Sequence, residues 1–390
     1  MKIHSDDNHI MAKRIKILRP VGNSINTTDS NINNILSSPY TSCFYNSGTA
    51  SLAATVIAAR KLKPNIKCPE VIVPAYGCPD LVSAIIYAET KPVLVDLEPN
   101  SSQMSLEQIT NSITDKTIAI IAVRFFGIPE RYKELSKIAK QYNLVLIEDS
   151  AQGFPATGLD TYWHGDFIVI SFGRGKPVNL LGGGAVLSKN PELLKLLPKP
   201  TTIPSSLLEK LKYKLKVHLY NQTIRPIAYG LLTLIPGLKI GQTVYKPLIC
   251  IESIHNTTKS LLSSNLEAYK TRKNYQAKYR EIFKQYDKGE LIDIPRTLAN
   301  DMSQPLLRYP ILIIDTAKRD AIYNKLKSYG ASLMYQKPLY QIDGISELIK
   351  EQSTNYPNAS LFAKQLLTLP THEGVNKKTL KIIADTINKS

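Results

Sequence analysis

The feature that most constrains the fold is an alternation of short apolar runs with longer amphipathic stretches between residues 47 and 187. The amphipathic stretches, at residues 49–62, 78–88, 105–112 and 130–142, have the length of helices. The apolar runs read EVIVPA, PVLVDL, TIAIIAVRFF, LVLIED and FIVISF. Strands buried on both faces read as continuous apolar runs, and strands that alternate with helices form βαβ units. The sequence therefore predicts an α/β fold with a mostly parallel sheet.

The residues that directly follow each apolar run are the first candidates for a functional site. In open α/β sheets, ligands bind beyond the carboxyl ends of the strands. The candidate positions are residues 74–78, Asp96, and residues 124–127, 148–152 and 171–176.

The amino-acid composition of the chain changes at residue 198. Residues 198–247 open with several prolines and hold eight lysines or arginines but a single acid, Glu209. Ordinary helix and strand patterns return further on, at residues 267–286, in YPILII, and at residues 317–329. We therefore expect a large domain over residues 1–250, with residues 198–247 as a basic and apolar insertion. A smaller α+β domain is expected over residues 251–390.

The insertion allows three interpretations. Leu208, Leu211, Leu215 and Leu219 share one face of a helix with lysines at its edge, and the apolar stretch IAYGLLTLIPGL follows. Such a helix either packs on the protein itself or lies on an anionic membrane surface as a peripheral contact. Because basic and apolar residues also alternate over residues 210–219, a strand is the third interpretation.

Targeting and metal-binding signals are missing from the sequence. The first twenty residues mix acids and bases around no apolar core, so we expect no signal peptide. The apolar stretch at residues 227–235 stops at Pro236, far short of the roughly 18 residues that span a bilayer. The four cysteines and six histidines are scattered, without a CxxC pair or a ligand spacing. These features predict a cytoplasmic protein without a metal site.

The excess of basic over acidic residues indicates which classes of partner the protein can bind. Lysine and arginine exceed aspartate and glutamate by 49 to 32, a net charge of +17. Such a protein attracts nucleic acids, anionic membranes or phosphorylated small molecules. The sequence has no zinc-finger spacing, basic zipper region or RNP signature, so we do not expect it to bind nucleic acid.

Three segments at predicted strand or helix ends together suit pyridoxal 5'-phosphate (PLP). They are NSGTA at residues 46–50, EDSAQ at residues 148–152, and SFGRGK at residues 171–176 followed by three glycines. A helix N-terminus and a hydroxyl bind a phosphate, a carboxylate keeps a pyridine nitrogen protonated, and a lysine anchors an aldehyde. Each segment alone is a common structural pattern, and their order along the chain is what indicates the cofactor.

Competing motifs fail on particular residues. A phosphate loop of the GxxxxGK[ST] type fails at Ile170 and Pro177. A dinucleotide fingerprint that starts at Gly173 fails at Val178, and no GxSxG segment is present.

These residues resemble the DegT–StrS family of PLP-dependent sugar aminotransferases, which have the fold of aspartate aminotransferase. The resemblance runs from about residue 47 to the C-terminus and is weakest between residues 198 and 265. The segments that carry it are NSGTASL, EVIVPAYGCPD, KPVLVDLEP, IEDSAQ, ISFGRGKPVNLLGGGAVL and LLTLPTHEGV.

The resemblance implies a role for each matching residue. Lys176 would hold PLP and act as the acid–base, and Asp149 would pair with the pyridine nitrogen. Cys78 stands where the family usually stacks an aromatic ring, so either Tyr76 substitutes for it or the contact is not aromatic. The implied cofactor-binding residues are Gly48, Thr49, Ala50, Tyr76, Cys78, Asp149, Ala151, Gln152, Ser171 and Lys176.

The family pattern is broken at two places. Arg124 stands where the family commonly has histidine, and the family's tyrosine–asparagine–arginine segment, whose asparagine reaches the phosphate of the partner subunit, is not found. Related dehydratases carry histidine in place of the lysine, so Lys176 favours transamination.

The implied activity is transfer of an amino group, usually from glutamate, to a nucleotide-linked keto-sugar for surface glycan or polysaccharide biosynthesis, by a homodimer. The alternatives are another PLP reaction on the same fold and a non-catalytic regulatory protein that binds PLP or a sugar.

Overall fold

The structure is a computed structural model that describes residues 16–29, 39–202, 206–235, 237, 241, 243–284, 289–298, 303–349 and 355–389. Its larger sheet has seven strands in the order β1-β7-β6-β5-β4-β2-β3. They are β1 (Thr41–Tyr45), β2 (Glu70–Pro74), β3 (Lys91–Val95), β4 (Thr117–Val123), β5 (Val145–Asp149), β6 (Phe167–Ser171) and β7 (Gly184–Ser188). Strands β2 to β6 pair in parallel, whereas β7 is antiparallel to β1 and β6. The predicted α/β fold with a mostly parallel sheet is confirmed.

Each apolar run of the sequence supplies a strand, and the amphipathic stretches supply the helices around it. Every residue of β4, β5, β6 and β7 is buried, as expected for strands covered on both faces. The helices are α1 (Gly48–Leu62), α2 (Asp80–Tyr87), α3 (Leu106–Asn111), α4 (Tyr132–Gln141), α5 (Leu159–Tyr162) and α6 (Pro191–Lys195).

The insertion forms two helices, α7 (Leu207–Thr223) and α8 (Pro226–Thr233). A capping box starts α7, because the Ser206 side chain accepts from the Glu209 backbone and the Glu209 carboxylate accepts from the Ser206 backbone. The strand interpretation of residues 210–219 is therefore wrong.

Helix α7 does pack on the protein itself, through Val217, Tyr213 and Tyr220, but among the described residues its leucine face does not. Val217 is the fully buried side chain of α7, whereas the leucines at positions 208, 211, 215 and 219 are 54–60% exposed. Among the described residues, no helix is both long and apolar enough to cross a membrane.

Two helices follow the insertion, α9 (Asn256–Ser260) and α10 (Leu262–Lys270). Their buried side chains, among them Leu262 and Tyr269, belong to the same hydrophobic cluster as Trp163 and Ile168 beside the larger sheet. The domain boundary at residue 250 stays a prediction.

The C-terminal part of the chain builds a second, antiparallel sheet in the order β10-β9-β8. Its strands are β8 (Leu291–Asp293), β9 (Arg308–Ile313) and β10 (Leu366–Pro370). The helices around it are α11 (Gln276–Phe283), α12 (Ile294–Leu298), α13 (Thr316–Leu326), α14 (Pro357–Gln365) and α15 (Lys377–Asn388). One hydrophobic cluster joins the two sheets, since it contains Ile121 of β4 as well as Ile311 of β9 and Leu369 of β10.

Asp96 follows β3 and connects the larger sheet to the C-terminal part. Its fully buried carboxylate accepts hydrogen bonds from the backbone N–H groups of Asn358 (2.9 Å) and Ala359 (2.7 Å) in the first turn of α14. Although Asp96 was a candidate by its place after a strand, its carboxylate caps a helix.

An N-terminal strap, residues 16–29, runs across parts of the chain that are distant in sequence. The Leu18 backbone N–H donates to the Ser328 carbonyl (2.9 Å). The Asn221 side chain of α7 exchanges two hydrogen bonds with the Ile25 backbone, each 2.9 Å long. The strap therefore holds the insertion and the C-terminal part to one another.

Candidate functional site

A cavity of about 270 Å³ opens where the carboxyl ends of β5 and β6 meet the N-terminus of α1. This is the edge of the sheet at which the sequence predicts a ligand. Of the predicted site residues, Gly48, Thr49, Cys78, Asp149, Ala151, Ser171 and Lys176 line the cavity.

The phosphate-binding end of the predicted site is built by a close approach of α1 to β6. Ser47 caps α1, since its hydroxyl accepts from the Ala50 backbone N–H at 3.0 Å. A Cβ on Gly48 would lie 2.6 Å from the Ser171 Cβ, so no larger residue fits there without displacement. The α1 N-terminus and the Ser171 hydroxyl therefore lie side by side in the cavity wall, and a helix N-terminus attracts anions.

Asp149 ends β5 and lines the same cavity. It is 8% exposed, and its carboxylate accepts from the Ala151 backbone N–H at 2.9 Å. Burial raises the pKa of Asp149, while the ammonium of Lys176 and the Ala151 hydrogen bond act in the opposite direction. The carboxylate and the lysine are thus close enough to interact electrostatically.

Lys176 reaches the cavity from the loop after β6. Its backbone N–H donates to the Gly173 carbonyl at 3.2 Å. Gly175, directly before it, has a φ of 77°, in the left-handed region that glycine adopts without strain. This tight turn returns Lys176 to the wall of the cavity that Ser171 also lines.

Three predicted cofactor-binding residues, namely Ala50, Tyr76 and Gln152, are absent from the cavity wall as far as the described residues show. The Ala50 backbone N–H is used by the Ser47 cap. The Gln152 side chain accepts from the Phe126 backbone N–H at 3.1 Å and donates to the Tyr335 hydroxyl at 3.4 Å.

Tyr76 lies behind the cavity wall in an aromatic cluster. It is fully buried, and its ring centroid lies 4.9 Å from that of Phe362 and 5.7 Å from those of Phe125 and Tyr335. Cys78, by contrast, is in the wall. Burial raises the pKa of its thiol to about 12, so the thiol is neutral at physiological pH.

Arg124, at the position of the family's histidine, is part of a buried ion pair beneath the site. Its Nη2 lies 2.7 Å from Oε1 of Glu148, which is fully buried, and its Nε lies 3.0 Å from the same oxygen. The guanidinium also lies over the Tyr162 ring, 4.1 Å from the centroid. Arg124 thus has a full set of protein partners.

Sequence reasoning missed three residues at this site. Asp80 and Arg174 line the cavity. Both stand in segments that carry the family resemblance, and their side chains could have been singled out there. Tyr335 lies close enough to the Cys78 thiol to affect its pKa, and no local pattern in the C-terminal part marks it.

The comparisons with known proteins agree on the fold. A family model described as the DegT/DnrJ/EryC1/StrS aminotransferase family matches residues 20–199 and 260–388. The chain is similar to an NtdA protein of Bacillus subtilis solved with bound cofactor PMP, with a TM-score of 0.64 and 18% identity, covering 89% of this chain and 72% of that one. The predicted aspartate aminotransferase-like fold is confirmed.

Curated relatives match over very different shares of the chain. GDP-perosamine synthase of Escherichia coli O157:H7 is 35% identical over 126 residues, 32% of this chain and 35% of the relative. A UDP-4-amino-4,6-dideoxy-N-acetyl-beta-L-altrosamine transaminase of Campylobacter jejuni is 26% identical over 356 residues, 88% of this chain and 84% of the relative. In three of the curated relatives, the match spans only 32–38% of the relative's own length.

Proposed function

Because the chain belongs to the DegT/DnrJ/EryC1/StrS aminotransferase family, we propose that it is a PLP-dependent aminotransferase. It transfers an amino group from an amino acid to a nucleotide-linked keto-sugar used in glycan biosynthesis. Glutamate is the proposed amino donor. The observation that carries the proposal is that Lys176, Asp149, Ser171 and the N-terminus of α1 line one cavity. The two alternatives, another PLP reaction and a non-catalytic binding protein, use the same cavity, and the test below separates both from the aminotransferase.

The cavity fits the cofactor by its donor set. Gly48 leaves room at the anion-binding end that a Cβ would fill, and the helix N-terminus and Ser171 hydroxyl would hold the phosphate. Asp149 would hold a proton on the pyridine nitrogen. When bound, the cofactor supplies an electron sink for the substrate carbon. Lys176 would anchor it and carry a proton at Nζ, and Ala151 and Cys78 would contact the ring.

Three further statements complete the proposal. The substrates are small molecules, the enzyme works in the cytoplasm, and it forms a homodimer. The family match over most of the chain supports them.

The visible absorption spectrum of the purified protein, with and without added glutamate, tests the activity. We expect a yellow protein whose colour is lost on addition of glutamate and is absent from Lys176→Ala. Lys195→Ala, at an exposed lysine paired with Glu192, is the matched control and should keep the colour. A colourless wild type that takes up no added PLP would contradict the enzyme proposal. A yellow protein that does not respond to amino donors would favour one of the two alternatives, another PLP reaction or a non-catalytic binding protein.

A peripheral membrane contact through the insertion is the second part of the proposal. The exposed leucines of α7 continue into exposed Ile227, Leu231 and Leu234 of α8. Lysines at positions 210, 212, 214 and 216 flank them. Residues 200–259 lie outside the family match. An apolar stripe beside cationic side chains has the chemistry that binds an anionic lipid surface.

Co-sedimentation with vesicles tests the membrane contact. Vesicles rich in phosphatidylglycerol should retain the wild type, and pure phosphatidylcholine vesicles should retain less of it. Charge reversal at the four lysines and Leu211→Ser with Leu215→Ser should each release the protein. If the serine variant instead changes the oligomeric state while vesicle binding of the wild type is negligible, the stripe is a subunit interface and the membrane proposal fails.

A further inference from the structure

Lys176 lies in the loop between β6 and β7, residues 172–183, which we call the lysine loop. Within this loop, the Phe172 carbonyl accepts hydrogen bonds from the backbone N–H groups of Leu180 (2.8 Å) and Gly182 (3.2 Å). These bonds shape the loop itself. Where the loop holds Lys176 relative to the cavity depends also on what packs against it from outside.

Helix α7 packs against the lysine loop with the face opposite to its exposed leucines. Tyr213, Val217 and Tyr220 are four and three residues apart, so they share that face. Val217 is fully buried and belongs to the same hydrophobic cluster as Val178 and Leu180 of the loop. The Tyr213 hydroxyl donates a hydrogen bond to the Leu180 carbonyl at 2.8 Å. The N–H and the carbonyl of Leu180 are thus both held, one from within the loop and one from α7.

Tyr220 acts on the other end of the lysine loop through the N-terminal strap. A Cβ on Gly22 of the strap would lie 2.7 Å from the Tyr220 hydroxyl oxygen, so the helix and the strap are in close contact. A Cβ on Gly175 would lie 3.1 Å from Cγ1 of Val21. The strap is therefore packed between Tyr220 and the residue directly before Lys176.

We propose that Tyr213 and Tyr220 are positioning residues for Lys176, because they fix the lysine loop from the side of α7. A group that moves a proton needs a fixed geometry, and a displacement of about 1 Å can lower a rate about hundredfold. Both tyrosines lie in residues 200–259, outside the family match, whereas the loop lies inside it. The inference rests on the proposed function for the role of Lys176, but the support of the loop by α7 can be measured without it.

Hydrogen–deuterium exchange of the purified protein measures this support. Tyr213→Phe removes the hydroxyl that binds the Leu180 carbonyl and keeps the ring. Amides of residues 173–183 should then exchange about fivefold faster, the effect of one ordinary hydrogen bond on local opening. Tyr279→Phe is the matched control, because its hydroxyl donates to the Pro370 carbonyl at 2.9 Å in the C-terminal part. The control should leave the lysine loop unchanged, and an unchanged loop in Tyr213→Phe would overturn the proposal.

The kinetics of cofactor bleaching by glutamate separate positioning from a purely structural role. Displacement of Lys176 should lower the limiting rate about tenfold in Tyr213→Phe, while the half-saturating glutamate concentration stays within about twofold of the wild type. Tyr220→Phe should show the same pattern. Tyr279→Phe loses a comparable hydrogen bond and should keep the wild-type rate. Equal limiting rates in Tyr213→Phe and Tyr279→Phe would show that the tyrosine only stabilises the fold, and the proposal would fail.

The two measurements keep this proposal separate from the proposed function. If the wild type does not bleach with glutamate, the proposed function fails, whereas the exchange rates still show whether α7 holds the lysine loop. If Tyr213→Phe does not fold, Tyr220→Phe takes its place in both measurements. Wild-type exchange and wild-type bleaching in that variant would then contradict the positioning role.

Discussion

At the scale of single residues, two acidic side chains at the end of one strand have different roles, one in the candidate site and one in packing. Asp149 and Glu148 are neighbours at the end of β5, but Asp149 lines the cavity while Glu148 lies beneath it against Arg124. Successive side chains of a strand point to opposite faces, so one of each pair faces the ligand and the other faces the protein.

The Arg124–Glu148 pair leads to a prediction about stability. Arg124→Gln leaves the fully buried Glu148 carboxylate without its cation, and such losses typically cost about 3–5 kcal/mol. Urea unfolding should show this decrease. Replacing both residues by methionine should recover most of it, because no unpaired charge is then buried. Arg60→Gln, at the exposed pair with Glu89, is the control and should change stability by at most about 1 kcal/mol. A double variant as unstable as the single one would contradict this explanation.

The site could be predicted from sequence where a residue stands at a strand or helix end. Lys176, Asp149 and Ser171 were found in this way and share one cavity. Tyr335 was not predicted, because its place beside the Cys78 thiol depends on how the C-terminal part of the chain packs against the larger sheet. The displacement of Tyr76 into an aromatic cluster has the same cause, since its neighbour Phe362 comes from α14.

At the scale of elements, the connection between β3 and α14 depends on one carboxylate. Asp96→Ala would leave the buried N–H groups of Asn358 and Ala359 without an acceptor. We expect a loss of about 2–3 kcal/mol, from the cap and the unsatisfied donors together. Asp96→Asn keeps one acceptor oxygen and should lose less. Urea unfolding measures both, and equal losses in the two variants would argue against capping as the cause.

The insertion shows why the element type was ambiguous in the sequence. Lysines and leucines alternate over residues 210–219 with a period of two, which suits a strand as well as a helix. The capping box at Ser206 and the spacing of four between the exposed leucines are the features that agree with the observed helix. The capping residues at the start of the segment therefore indicate a helix, whereas the hydrophobic pattern alone fits a helix and a strand equally well.

At the scale of the whole molecule, His372 connects the N-terminal strap to the C-terminal part. Its ring is 5% exposed, with Nε2 at 2.8 Å from the Arg19 carbonyl oxygen and Nδ1 accepting from the Gly374 backbone N–H at 3.0 Å. Burial and, to a smaller extent, the charge of Arg19 lower the pKa of His372 to about 3. The folded protein thus holds this histidine neutral.

The low pKa of His372 in the folded protein should make the free energy of unfolding depend on pH. The unfolded chain takes up a proton at His372 near pH 6.5, whereas the folded chain does so only near pH 3. The free energy of unfolding therefore falls as the pH falls between these values, by up to about 1.4 kcal/mol per pH unit. Between pH 7 and pH 5, the wild type should lose about 2 kcal/mol more than His372→Gln in urea unfolding.

Comparing the wild type with His372→Gln separates the effect of His372 on the free energy of unfolding from the effects of other buried titratable groups. Burial raises the pKa of Glu130 to about 7, which makes stability increase as the pH falls in part of the same range. Glu130 is present in both proteins, so its effect cancels in the difference. Identical pH slopes for the wild type and His372→Gln would contradict the prediction.

The fold as a whole was more predictable than its long-range contacts. Apolar runs identify strands because burial on both faces requires them, and the order of runs and helices determines a parallel sheet. The strap was not predicted, because hydrogen bonds between Ile25 and Asn221, or between Arg19 and His372, leave no periodic pattern in either partner.

The strap has a consequence for how the protein is made in the cell. Arg19 and His372 are 353 residues apart, and at ordinary rates of synthesis the ribosome needs roughly 20–70 s to make the chain between them. Throughout most of that interval Leu18, which is buried in the finished molecule and whose backbone N–H donates to the Ser328 carbonyl, has no complete site to occupy. This part of the strap is thus made long before it can be buried, and chaperones would have to shield it during translation.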